Sequence, residues 1–292
     1  MMKFWMLLLG SSLAGSAMPL AAKTPIPAAI FTDPVRDAKH PARMEVLHIP
    51  SGGVALNGVA YLASGPGPHP TLVIMHGLPG NEKNLDLAQA VRRAGWNAIT
   101  FNYRGSWGSP GKFSFLGNLE DGPAVLAYLR DPKTAAKLGI DTSRLALAGH
   151  SMGGWVAAMT AAHDPKLAGT VLISAANIGG LALGHARGVD VMADNMESLA
   201  TTAQAMADEV EQQQPRLDWT PQAAGLAHRP LLILSSNDGL APGTDALARF
   251  VRGVKGNRVT TLHVATDHSW SDRRIRLETE VIRWLATLKR TR

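Results

Sequence analysis

Three side chains in this 292-residue sequence have the chemistry of acyl transfer, if the fold brings them together: Ser151, Asp238 and His268. Ser151 sits in Gly149-His-Ser-Met-Gly153, a G-x-S-x-G pattern. A serine hydroxyl is a weak nucleophile until a base takes its proton and a third group orients that base. The spacing has a conformational reason. A serine on a sharp strand-to-helix turn is pushed out at the end of a sheet. A side chain two residues before or after it would clash with the tight backbone, so glycine fits at both places. A helix starting at the turn adds unpaired N–H groups and a dipole that favour an oxyanion.

Position selects the partners. Of ten histidines, His268 lies just past the last predicted strand, in Ala265-Thr-Asp-His-Ser-Trp270. His48, His69, His163 and His263 fall in strands, linkers or helix ends, and His185 and His228 fall in an insertion. His150 adjoins Ser151, and the turn is expected to point it away. Asp238 directly follows a strand-like run ending Ser235-Ser-Asn-Asp-Gly239, the place for an orienting acid. Aspartate before glycine also forms turns, and the two roles are compatible. Asp267 neighbours His268, so its side chain is expected to point elsewhere. An oxyanion hole needs two backbone N–H groups. Met152, after the serine, is one. Leu78, in His76-Gly-Leu-Pro-Gly80, is the other.

Periodicity gives the elements that must position these groups. Residues 44–49 and 54–63 alternate in polarity around Ser51-Gly-Gly53, which predicts a β-hairpin. Residues 71–75 are continuously apolar, as in a strand buried on both faces. Helices at 85–94 and 119–130 then flank a strand at 97–101. A strand at 145–148, a helix from Ser151 to about His163 and a strand at 169–174 follow. The alternation stops at 176–228. There Met196, Leu199, Ala200, Ala203, Met206, Ala207 and Val210 share one helical face, which predicts a helical cap. A strand at 230–235, a helix at 244–254, a strand at 258–264 and a helix at 272–288 complete the chain. This order implies an α/β fold: a mainly parallel sheet with helices on both faces, an N-terminal antiparallel hairpin and a helical cap insertion. Active residues in such a sheet lie outside the carboxyl ends of its strands.

Composition sets outer limits. Apolar residues make up 46% and charged residues 18%, enough for a sizeable core. The absence of cysteine excludes a disulfide scaffold, a thiolate nucleophile and Cys-ligated metal. Net charge is +6, but no run of five basic residues occurs, and the cluster Arg273, Arg274 and Arg276 reads as a solvated face of the last helix. No nucleic-acid partner is implied. Lys3, the apolar run 4–13 and small residues at 15–17 and 21–22 predict a secretory signal peptide at 1–22. A Pro-rich extended arm at 23–43 leads into an α/β domain at 44–292 with its cap at about 176–228. The protein is expected to be exported, to the periplasm or the medium, with no integral membrane span after cleavage.

The jointly ordered set resembles the α/β-hydrolase superfamily over about residues 45–288. His76-Gly77, Gly149-His-Ser-Met-Gly153, Asp238 and His268 stand where serine hydrolases of that family place the oxyanion loop and a triad in the order Ser, Asp, His. Asn102-Tyr-Arg-Gly-Ser-Trp-Gly108 is similar to the Y-R-G-x-G-x-S type loop of the prolyl-oligopeptidase-like and serine-aminopeptidase-like branches, with Ser106-Trp107 altering the glycine spacing. The resemblance implies a serine hydrolase acting through a covalent acyl-enzyme, with no cofactor and no metal. The substrate is expected to be a small-molecule ester. A short peptide is the alternative on the same apparatus, and a non-catalytic exported binding protein is the alternative of another class. Trp107, Phe113, Phe115, Met192 and Met196 are candidates to line an apolar substrate pocket, and the oligomeric state is left open.

Overall fold

The computed structural model describes residues 25–181 and 184–291. The predicted signal peptide lies outside the described residues. The arm is largely exposed and holds one short 3-10 turn, Ala28–Ile30. It is tied across the first helix by Arg93, which donates to the carbonyls of Ala29 and Ile30.

The eight strands are β1 (Arg43–Ser51), β2 (Val54–Leu62), β3 (His69–Met75), β4 (Asn97–Phe101), β5 (Ile140–His150), β6 (Gly169–Ile173), β7 (Pro230–Ser235) and β8 (Arg258–His263). They form one sheet in the order β1-β2-β4-β3-β5-β6-β7-β8. The hairpin β1–β2 joins antiparallel at one edge, and β4 through β8 run parallel. Strands β4, β6 and β7 are buried along their whole length, as strands covered on both faces are. Helices α1 (Leu85–Arg93) and α8 (Arg274–Leu285) cover one face through Leu87, Val91, Leu277 and Val281. Helices α2 (Phe115–Arg130), α4 (Met152–Ala162) and α7 (Ala241–Gly253) cover the other through Val125, Trp155 and Leu247. The hairpin, the parallel sheet and the two helical layers are as the sequence predicts.

Helix α2 begins at Phe115, four residues before the predicted start. Ser114 caps it, accepting from the Gly117 N–H at 3.0 Å. A helix missed from sequence, α3 (Pro132–Leu138), starts on Asp131, which accepts from the Thr134 N–H, and ends on Gly139 at φ 62°. Both signals, Asp-Pro and a terminal glycine, are in the sequence.

The segment between β6 and β7 contains helices α5 (His185–Ala193) and α6 (Ala203–Leu217) and the 3-10 turns Ile178–Gly180 and Thr220–Leu226. The predicted helical face begins too early. Helix α6 starts only at Ala203, where Thr202 accepts from the Ala205 N–H. Residues 196–200 instead run alongside the loop after β4. Ser106 and Leu199 form an antiparallel bridge, the Ala200 N–H donates to Gly105 at 2.7 Å, and the Trp107 N–H donates to Ser198 at 3.0 Å. Inter-segment pairing has overridden a helical pattern there. Glu209 of α6 caps a neighbouring helix. Its two carboxylate oxygens accept from the N–H groups of Phe115 and Leu116, each at 2.8 Å. A carboxylate is favoured there because α2 leaves those donors unpaired and its dipole is positive at that end. Among the described residues no helix is long and apolar enough to cross a membrane.

Glu209→Ala therefore removes a cap between two helices. We expect a loss of about 1–2 kcal/mol in urea unfolding. Glu197→Ala, at an exposed position of the same segment, should change it by less than about 0.5 kcal/mol.

Candidate active site

The last residue of β5 is His150 and the first of α4 is Met152, so Ser151 alone makes the turn. It adopts φ 56° and ψ −122°, a region that side chains rarely enter. Two contacts enforce this. A Cβ at Gly149 would lie 2.0 Å from the Gly153 carbonyl oxygen, and one at Gly153 would lie 2.1 Å from that of Met75. Helix α4 thus sits directly against β3 and β5, and only glycine permits the approach. The Ser151 N–H donates to Ile173 on β6 at 2.9 Å, and its carbonyl accepts from Ala176 at 3.2 Å.

Asp238 follows β7 and His268 follows β8, as predicted. Their side chains meet: His268 Nδ1 lies 2.7 Å from Asp238 Oδ2. Burial alone would raise the pKa of Asp238. The His268 bond, the Leu240 N–H at 2.9 Å and the Ser236 hydroxyl outweigh it and hold that pKa down to about 2. The carboxylate is thus ionised and aimed at the imidazole. The loop carrying His268 is anchored further by Trp270, fully buried at φ 58°. Its Nε1–H donates to Ser174 Oγ at 3.0 Å, and Ser174 shares a 2.8 Å hydrogen bond with Ser236. Asp267 accepts from the Ser271 N–H and takes no part in the pairing.

The loop after β3 closes on the turn. A Cβ at Gly77 would lie 3.0 Å from Ser151 Cβ. His76 is buried, and its Nδ1–H donates to the Gly77 carbonyl at 2.7 Å. The Gly77–Leu78 peptide is trans, so its N–H points opposite to that carbonyl. The Leu78 N–H therefore points away from the His76 ring. Among the described residues, neither the Leu78 N–H nor the Met152 N–H has a protein acceptor.

The pocket candidates separate. Trp107, at 37% exposure, stands beside this loop and donates from Nε1 to the Pro79 carbonyl at 2.7 Å, with the Lys83 ammonium 4.1 Å over its ring. Phe113 and Phe115 do not line a pocket. They are buried in the core, edge to face with each other, and Phe115 is edge to face with Trp155. Met192 is buried too and faces a cavity of about 220 Å³ between α5 and α6, whose lining does not include Ser151, Asp238 or His268. Met196 packs half-buried against the main core. The apolar character that suggested these residues belongs to packing.

Two groups were not assigned from sequence. Arg104, in the Tyr103-Arg-Gly105 stretch, reaches the fully buried Asp121 of α2. Its Nε–H donates to Oδ1 at 2.8 Å and its main-chain N–H to Oδ2 at 2.9 Å, while the Ser51 hydroxyl adds a third bond at 2.6 Å. This network fixes the loop that carries Trp107. The second is His150, whose ring packs against that of His268, with centroids 4.6 Å apart.

A shallow hairpin edge, a parallel sheet sandwiched by helices, and a positive-φ serine at a strand-to-helix turn define the class of α/β hydrolases. The chain belongs to the alpha/beta hydrolase family, whose sequence profile matches residues 72–288. It is similar in structure to an esterase of Pyrobaculum calidifontis, at TM-score 0.64 and 21% identity over 85% of this chain and 87% of that one. It is similar also to a thermostable carboxylesterase cloned from a metagenomic library, at TM-score 0.64 and 19% identity over 90% and 92% of the two chains. An acylaminoacyl peptidase of Pyrococcus horikoshii matches at TM-score 0.64 and 16% identity, over 86% of this chain and 42% of that one. Among curated sequences, an uncharacterized protein of Mycobacterium tuberculosis is 29% identical over 129 residues, 44% of each chain. The match thus spans less than half the length of that relative.

Burial pushes the pKa of His76 down from 6.5 to about 4, and that of His150 to a similar value. Between pH 6.5 and 4 the unfolded chain then binds protons that the folded chain refuses. This stability is full above pH 6.5, is lost progressively as pH falls towards 4, and changes no further below that. Glu278 acts in the opposite sense. Burial and the neighbouring Asp86 raise its pKa to about 7, so its contribution falls as pH rises through 7. The comparison must therefore be internal. Melting curves of the wild type should fall more steeply from pH 7 to 5 than those of His76→Gln, the difference reaching about 2 kcal/mol.

Proposed function

We propose that this protein is a serine hydrolase that cleaves carboxylic esters of small molecules through a covalent acyl-enzyme. The observation that carries the reading is the Asp238–His268 pair at 2.7 Å, carried on the loops after β7 and β8, with a serine held at positive φ after β5 at the same carboxyl end of the parallel sheet. In this reading His268 Nε2 takes the proton from Ser151 as its oxygen attacks the ester carbonyl. The N–H groups of Leu78 and Met152 hold the resulting oxyanion. Asp238 holds Nδ1–H and stabilises the imidazolium. His268 then gives its proton to the departing alkoxide, and the acyl group stays on Ser151. Water, losing a proton to His268, adds to that acyl group; as the acyl–oxygen bond breaks, His268 returns the proton to the Ser151 oxygen, which releases the acid and restores the serine hydroxyl and the neutral imidazole. Trp107 borders the site as a contact for the substrate. No metal or cofactor enters this sequence of steps.

The test is a p-nitrophenyl ester chain-length series run beside p-nitroanilide peptides. Ester turnover should exceed anilide turnover, and Ser151→Ala or His268→Ala should lower it by about 10⁶-fold. Retention of more than a few per cent of activity in Ser151→Ala would remove the assignment. Faster anilide turnover would make the protein a peptidase. A wild type that neither turns over ester nor reacts with a fluorophosphonate would be a binding protein on this fold.

We further propose that the chain is exported, on the strength of its charged, apolar and small-residue N-terminal order. N-terminal sequencing of the protein from a culture that secretes it should find a start between residues 18 and 23. A mature chain beginning at Met1 in the cytosol would overturn this.

A further inference from the structure

Residue 150 stands between Gly149 and Ser151, where the catalytic scheme gives it no task. Its position is nevertheless specific. His150 is buried, with 4% of its surface exposed. Its Nε2 lies 2.8 Å from the main-chain carbonyl oxygen of His268. The two imidazole rings lie against each other, with centroids 4.6 Å apart at 46°. A carbonyl oxygen only accepts, so the proton sits on Nε2. The Nδ1 of the neutral ring is then bare. It is buried and without a partner among the described residues, and a Cβ at Gly77 would lie 3.4 Å from it.

We infer that His150 is a positioning residue, tying the loop of the base to the strand of the nucleophile. The inference rests on the serine hydrolase reading above. His268 is held at two points: Asp238 takes its Nδ1–H and His150 takes its carbonyl. Its Nε2 is the ring position left for the serine. His150 is bonded covalently to Ser151 and is paired with Ile173 of β6. The offset between nucleophile and base is thereby set by one peptide unit and one hydrogen bond, within a fixed sheet. Proton transfer is sensitive to that offset, and a displacement of about 1 Å can cost about 100-fold in rate. Burial first, and the adjacent His268 second, push the pKa of His150 down to about 4. The ring is thus neutral near pH 7 and does not repel the imidazolium that forms on His268.

The test uses the full chain with three readouts: kcat and KM on a p-nitrophenyl ester, the rate of fluorophosphonate labelling, and the imidazole tautomer of His150 from ¹⁵N NMR of the wild type. His150→Phe keeps a ring and loses the donor. It should lower kcat and the labelling rate together by about 10- to 100-fold, with KM within about threefold. His150→Gln places an amide N–H near the Nε2 position and should recover most of the loss. The NMR spectrum should show His150 neutral and protonated on Nε2 at pH 7. A Phe variant as fast as the wild type, or a Gln variant slower than the Phe variant, would overturn the inference. So would a His150 protonated on Nδ1 alone, a result that needs no variant to fold. If the wild type itself neither labels nor hydrolyses, the hydrolase reading fails and the catalytic role falls with it. The tautomer still reports whether the bond between the β5 strand and the His268 loop exists.

Discussion

The close approach of α4 to the sheet is the constraint on which the site depends. Gly149 and Gly153 leave no room for a Cβ, so the helix starts within one residue of the strand and Ser151 must absorb the turn at φ 56°. That strain is held by ordinary forces. Trp155, Val156, Ala157 and Ala158 are buried on the same helix, and Trp155 Nε1 donates to the Leu217 carbonyl at 2.7 Å. Dispersion and burial over α4 pull it onto β3 and β5, and the backbone between strand and helix yields. The helix N-terminus, with its unpaired Met152 N–H, arrives beside the serine as a by-product of that packing.

Around this turn, the remaining groups come from loops at the carboxyl ends of the parallel strands. Each is fixed by bonds that reach across elements. Asp238 answers to Leu240 and Ser236, Trp270 to Ser174, and Gly77 to His76. Arg104 and Asp121 do the same for the loop after β4. Both members of that pair are well supplied with partners, which a buried carboxylate requires. The buried polar groups here specify loop positions more than they add stability.

Much of this was legible in the sequence. The succession of strands and helices along the chain followed from periodicity and apolar runs, and the placement of Asp238 and His268 followed from their position just after strands. What failed was the choice of pocket residues from apolar character alone. Phe113, Phe115 and Met192 are apolar because they fill the interior, and a sequence pattern does not say which side of a packed layer faces a ligand. The helical face through 196–200 failed for a different reason. Its residues pair with 105–113, a contact between segments about ninety positions apart that no local periodicity encodes. Glu209 was hidden in the same way, since the N–H donors it accepts from belong to the start of another helix.

That last contact bears on how the site is reached. The carboxylate of Glu209 grips α2, and 196–200 is stitched to the loop bearing Trp107 by main-chain bonds. Swinging the cap outward would break both sets at once and strip a helix end of its partners. For the ester hydrolase proposed above, this means that substrate reaches Ser151 without an outward swing of this segment, and that velocity rises smoothly with dissolved substrate, with no jump when the substrate begins to form droplets or micelles.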